Sequence, residues 1–219
     1  MMKKRCYNLM LAEDVVERID RLAADENTTR SGLINRILAD YLSLTTPEQR
    51  ANSVFRTIED FLSGKGGFSS FFEPNSPVMS IKSPLSYRYR PTLRYSVEMY
   101  RTPDAVIGEL TVNFRTQAPE LLVELTHFFK LWMQLEALYL SAFFPENAIR
   151  YTLGEGRFTR TFAIPNERSY DPEETGRAIG DYVETFDELL KKWLSGEISS
   201  QRELENAYLA RLNGGMLII

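Results

Sequence analysis

Residues Lys4 to Leu42 carry one alternating stretch and two apolar helix stripes, on too little chain to close a core around them. Tyr7, Leu9 and Leu11 alternate with Cys6, Asn8 and Met10. A period of two reads as a strand with one apolar face. A single strand this short needs a partner. Val15, Val16, Ile19, Leu22 and Ala23 fall on one stripe of a first helix, which Asp25, Glu26 and Asn27 interrupt. Thr29 is a good N-cap for a second helix, whose stripe is Leu33, Ile34, Ile37, Leu38, Tyr41 and Leu42. About forty residues cannot bury two such faces alone. A second copy supplies what is missing: the strands pair antiparallel and four helices share one core.

A basic run, a strand and two short helices in this order resemble the ribbon-helix-helix DNA-binding module (Arc/MetJ/CopG type). The resemblance covers about the first 42 residues. It implies an intertwined homodimer whose paired strands lie in the major groove of double-stranded DNA. Carried over residue by residue, the base-contacting positions are Cys6, Asn8 and Met10. The Asn8 amide can pair bidentately with adenine, and Met10 suits a thymine methyl. An alternative is that only Asn8 specifies and its neighbours fill space. The N-terminus of the second helix offers backbone N–H groups to a phosphate, with Thr29, Arg30 and Ser31 beside it. Lys3, Lys4 and Arg5 add sequence-independent attraction. Arg18, Arg21 and Arg36 read as solvated helix charges. Ala12 leaves the first helix weakly capped, and Thr28 stands where an apolar residue usually precedes the second cap.

At 219 residues the chain has room for more than one domain. The expected division is 1–44 for the DNA-binding module, 45–80 for a linker helix and loop, and 81–219 for an α+β oligomerisation or effector domain. The formal net charge of −4 argues against a chain coated in nucleic acid, so DNA binding is expected to be local. Between Ile81 and Arg101, five basic residues face Glu98 alone; from Pro165 onward, six face eleven acidic ones. One cysteine permits no intramolecular disulfide framework. With no signal peptide and no long apolar span in the sequence, the expected location is the cytoplasm of a prokaryotic host, without membrane attachment.

Thr46-Pro47-Glu48-Gln49 is a capping box with proline at the first helical position, and predicts a helix over Pro47 to Leu62. This helix reads as a bridge out of the module. The Gly64-Lys65-Gly66-Gly67 run lacks the spacing of a phosphate loop. Phe68 to Ser86 reads as a long loop pinned by Phe68, Phe71 and Phe72, with a short strand near Val78 to Ser83. Leu93 to Tyr100, Val106 to Arg115 and Arg157 to Ile164 alternate as strands. Pro119 to Phe144 reads as one long helix with Leu121, Leu125, Phe128, Trp132, Leu135 and Tyr139 in heptad spacing. It serves either as a core helix on the sheet or as a second dimer contact. Asp171-Pro172-Glu173-Glu174 opens another helix that Gly196 ends, and Ser200 opens a last one. The sum is a helix-flanked antiparallel sheet, an α+β fold.

Candidates for chemistry are few. His127, the only histidine, falls mid-helix, and no nucleophile motif accompanies it. One histidine and one cysteine make an ordinary zinc or nickel site improbable, so no metal, no cofactor and no enzymatic activity are expected. Cys6 reads either as a redox switch at the DNA face or as a small side chain at a ribbon edge. Tyr87-Arg88-Tyr89-Arg90, with Arg94 and Tyr95, interleaves aromatic and basic residues. It reads as a strand with a solvated face, as a second nucleic-acid contact, or as an anion pocket. The leading expectation is a sequence-specific dimeric transcriptional repressor, assembling further on DNA or sensing a small effector through its C-terminal domain. The alternative is a plasmid or mobile-element factor for partition, copy control or the relaxosome, whose C-terminal domain binds a partner protein.

Overall fold

A computed structural model describes residues 6–42, 44–85, 92–114, 116, 118–154 and 156–219. Six helices and six strands follow in the order α1 (Glu13–Asp25), α2 (Arg30–Tyr41), α3 (Pro47–Leu62), β1 (Ser69–Phe72), β2 (Val78–Pro84), β3 (Thr92–Met99), β4 (Val106–Asn113), α4 (Pro119–Tyr139), β5 (Tyr151–Gly154), β6 (Arg157–Ala163), α5 (Pro172–Ser195) and α6 (Gln201–Asn213). The fold is α+β.

The strands form one antiparallel sheet in the order β1-β2-β3-β4-β6-β5. Its two faces follow from alternation, which a bulge in β4 between Val106 and Gly108 interrupts. Ile81, Tyr95, Val112 and Phe158 lie opposite one another in consecutive strands and are buried. Their sequence neighbours Lys82, Arg94, Asn113 and Arg157 form the next tier on the other face, where no helix among the described residues covers them. An antiparallel sheet tolerates this because hairpin connections need not cross a face.

Phe186 of α5 is the centre of the covered face. Its ring lies 4.9 Å from Trp132, 5.5 Å from Phe128, 5.8 Å from Phe158 and 6.2 Å from Tyr95. One residue of α5 thus contacts α4 and two strands at once. The heptad residues of α4 from Leu121 to Leu135 are buried here, which is the core-helix alternative. The helix stops at Tyr139, and a 3-10 turn occupies Ser141–Phe143, so it is shorter than the sequence suggests.

Helix α3 begins with the expected capping box: Thr46 Oγ1 accepts from Gln49 N, and Gln49 Oε1 accepts from Thr46 N. It does not stand apart as a bridge. Val54, Phe55, Ile58 and Leu62 belong to the same core as the sheet, so that core takes in residues from Ala51 onward and not only from Ile81. The reason lies on α5. A side chain on Gly176 would stand 2.7 Å from the Val54 carbonyl oxygen and 2.5 Å from Thr57 Cβ; one on Gly180 would meet the Phe61 ring at 2.8 Å. Two glycines one turn apart remove the side chains that would hold α3 off.

The stretch read as a long loop holds strand β1, which hairpins onto β2. Phe68 and Phe72 pack on the core, but Phe71 points to solvent, because alternation puts it on the uncovered face. Strand β5 is also unforeseen. Gly196 closes α5 in the left-handed region, at φ +79°, and the C-terminal tail packs, with Ile219 fully buried. No helix among the described residues is long and apolar enough to cross a membrane.

Residues Cys6–Ala12 form no strand within the single chain, contrary to the alternation read in the sequence. A lone extended segment has no hydrogen-bonding partner in its own chain to define it as a strand.

Replacing Gly176 with Ala should lower stability by about 1–3 kcal/mol through overpacking against a backbone carbonyl. Gly154→Ala, a site where an added methyl meets nothing within 4 Å, should change it by less than about 0.5 kcal/mol. Urea unfolding of the two variants measures the difference.

Candidate nucleic-acid interface

Helices α1 and α2 bury little. Ile19, Ala23 and Leu33 form a separate small cluster, with Ile34 at its edge. The turn between the helices passes through Asn27 in the left-handed region, φ +49°, which asparagine tolerates. Helix α1 has no side-chain cap at Ala12, while Thr29 caps α2 by accepting from Gly32 N at 3.1 Å.

Most of the stripes stay exposed. Val15, Leu22, Ile37, Leu38, Tyr41 and Leu42 all face solvent, Tyr41 with 87% of its surface. Ahead of the helices Tyr7, Leu9, Met10 and Leu11 are exposed as well. Of the sixteen large hydrophobic side chains exposed among the described residues, eleven lie between Tyr7 and Leu44. Isolated exposed apolar residues are normal, whereas a concentration of them marks an interaction surface.

The sequence-derived base contacts Cys6, Asn8 and Met10 are all exposed. So are Tyr7, Leu9 and Leu11, so the single chain does not separate a core face from a reading face. At the start of α2, Ser31 is exposed and the Thr29 hydroxyl is engaged in the cap. Arg30 is not free: its guanidinium binds the Asp20 carboxylate through both Nε and Nη2, tying α2 to α1. That hydrogen bond holds the Asp20 carboxyl below its ordinary range and Arg30 above its own. Arg36 likewise pairs with Glu26 across the two helices, which corrects its reading as an ordinary solvated charge. Lys3, Lys4, Arg5, Arg88 and Arg90 lie outside the described residues. Arg94 is exposed on β3, directly opposite Lys82 and Asn113.

Two polar assemblies inside the sheet domain went unseen in the sequence. In the first, the Arg160 guanidinium is fully buried and pairs with Glu136 Oε1 at 3.2 Å. Glu136 Oε2 also accepts from the Tyr182 hydroxyl, which in turn accepts from Trp132 Nε1 at 2.9 Å. The Tyr182 ring lies 4.5 Å from the guanidinium carbon. Burial opposes the charge on Arg160, yet Glu136 and then Tyr182 outweigh it and hold its pKa above the ordinary value. Burial, reinforced by Glu136, pushes the Tyr182 hydroxyl up. The sequence held a signal, since Arg160 sits in phase with Phe158 and Phe162 on a core face.

The second assembly joins Ser83, Tyr95, Asp187 and Lys191. Asp187 accepts from Tyr95 at 2.7 Å and from Ser83 at 3.0 Å, while Lys191 Nζ lies 2.7 Å from both Asp187 Oδ2 and Ser83 Oγ. Burial first, then the Asp187 charge, pushes the Tyr95 hydroxyl up. A serine beside a lysine is a nucleophile pairing in principle. Here the serine is wholly buried and the lysine is held by a carboxylate, so the group anchors α5 to β2 and β3.

His127 is exposed on α4, edge-on to the Trp193 ring at 5.2 Å. Cys6 is an exposed free thiol. Among the described residues no cluster of three His, Cys, Asp or Glu side chains is placed to hold a metal ion. Grooves open to solvent among the described residues include one of about 270 Å³ between α3 and β1, and one of about 230 Å³ on the uncovered sheet face, lined by Ser96, Glu98, Glu109, Thr111 and Arg157 among others. Comparison with family models, curated proteins and solved structures finds no match to the chain.

Glu136→Leu alone should cost about 3–5 kcal/mol, because it strands a buried guanidinium. The double variant Glu136→Leu/Arg160→Met should recover most of that loss. Chemical denaturation of the three proteins measures the coupling.

Proposed function

We propose that the chain is a dimeric, sequence-specific DNA-binding protein, acting as a transcriptional repressor through an N-terminal ribbon-helix-helix module. The observation that carries this reading is the concentration of exposed apolar side chains between Tyr7 and Leu44 on a helix pair that buries only Ile19, Ala23, Leu33 and Ala39. Such a unit is complete only when a second copy covers it. Pairing of residues 6–11 across the two-fold axis gives that segment its missing hydrogen bonds and sorts its side chains. Tyr7, Leu9 and Leu11 turn inward, while Cys6, Asn8 and Met10 turn to the major groove.

The start of α2 supports a phosphate contact. Thr29 fixes the helix end, and the first turn of any helix leaves N–H groups for an anion. Arg30 stands beside this site and exchanges Asp20 for the phosphate. The folded sheet domain then serves assembly or effector sensing.

Asn8→Ala should weaken binding to a selected site by about 1–3 kcal/mol, the worth of a bidentate base contact, with little change on random DNA. Fluorescence anisotropy on both duplexes tests this, and an equal loss on the two removes the ribbon as reader. Sedimentation of the free protein should give a dimer; a monomer at micromolar concentration would end the proposal. Sites captured from genomic DNA would separate promoter control from maintenance of a mobile element.

A further inference from the structure

The uncovered sheet face is not uniformly polar. Register sorts it into three tiers. Lys82, Arg94, Asn113 and Arg157 lie directly opposite one another across β2, β3, β4 and β6. Ser80, Ser96, Thr111 and Thr159 form the next tier. Glu98 and Glu109, opposite each other, stand in the third. All cations of the tiers therefore stand at one end.

Lys82 and Arg94 are the unusual pair. Both are exposed, they face each other as direct cross-strand partners, and neither has an acidic partner among the described residues. Like charges directly opposed across a strand pair destabilise a sheet. The pair stands about 4.8 Å apart at the backbone, with side chains long enough to close on one anion. Arg157 is partly spoken for: its Nη2 lies 3.3 Å from Thr111 Oγ1 and 4.0 Å from Glu109 Oε1. The carboxylates Glu98 and Glu109 lie about 13 Å further along the strands, since each residue advances about 3.3 Å, so among the described residues of the three tiers no carboxylate stands at the cationic end.

We infer that this end of the sheet is a second DNA contact, in which Lys82 and Arg94, with Asn113 as a neutral donor beside them, bind the phosphodiester backbone of the duplex. A phosphate between the two cations removes their repulsion and supplies the opposite charge that the tier lacks. The contact is sequence-independent, because it touches no base edge. It rests on the reading of the chain as a DNA-binding protein but uses no residue of the ribbon.

The test titrates the full-length protein with a random-sequence duplex over a series of salt concentrations. Wild type is compared with Lys82→Gln/Arg94→Gln, with the charge-preserving Lys82→Arg/Arg94→Lys, and with Asn8→Ala. Each lost phosphate contact lowers the slope of log K against log salt by about 0.9, so the glutamine variant should lose about two units of slope. The charge-preserving variant should keep it. Preference for a selected site should be unaffected by either. An unchanged slope in a glutamine variant of wild-type circular dichroism overturns the inference and leaves the ribbon reading standing. So does an unchanged slope with a fall in particle mass, which would give the face to a second copy of the chain instead. A lost slope together with an Asn8→Ala variant of normal preference supports the sheet contact and removes the ribbon as reader. Failure of the wild-type protein to bind duplex at any salt overturns both.

Discussion

The contact between Phe186 and the aromatic rings around it holds two helices to one face of a six-stranded sheet. Phe186 meets Phe128 and Trp132 from α4 and Tyr95 and Phe158 from the strands, so two helices and the sheet meet at one side chain. Area burial of this kind is strong and undirected. It draws α5 onto the sheet but does not fix its rotation. The polar groups flanking Phe186 supply that. Asp187 reaches β2 and β3 through Ser83 and Tyr95, and Tyr182, one turn earlier, reaches Glu136 on α4. A rotated α5 would leave those buried groups unpaired, which is far costlier than forming them is favourable.

Covering one face commits the other to solvent. Every strand that buries an aliphatic or aromatic residue sends its neighbour outward, and the outward set in β2, β3 and β6 begins with a cation at the same register. The charge asymmetry of the sheet is thus a by-product of its alternation. The N-terminal unit shows the opposite condition. Its two helices bury four apolar residues and leave most of their stripes open, so much of its apolar surface stays in water in the single chain. Ion pairs Arg30–Asp20 and Arg36–Glu26 hold the helices at a fixed angle, but exposed pairs of this sort contribute little stability. The sheet domain has a large core of its own, while the helix pair has only a small cluster.

Much was legible in the residues themselves. Capping boxes at Thr46 and Asp171, the serine cap at Ser200 and the stop at Gly196 placed three helices closely, because caps are local interactions within four residues. Strands β3, β4 and β6 were visible through period two. Strand β1 was hidden by serine and glycine around it and by Phe71, an aromatic that faces out. The candidate ribbon was legible as an alternating pattern, whereas the single chain forms no strand there.

Sequence alone determined the capped helix ends at Thr29, Thr46, Asp171, Ser200 and Gly196, though not the end of α4, together with the alternation of β3, β4 and β6 and the exposed apolar stripes of residues 7–44, since each depends on neighbours a few positions apart. Tertiary structure decided which distant residues stand side by side. Gly176 and Gly180 admit α3 into the core only because α5 crosses it there, Arg160 is tolerable only because Glu136 arrives from another element, and Lys82 faces Arg94 only because the β2–β3 register sets them opposite. Those relations arise from register and close packing across long sequence separations, and no local pattern of residues encodes them.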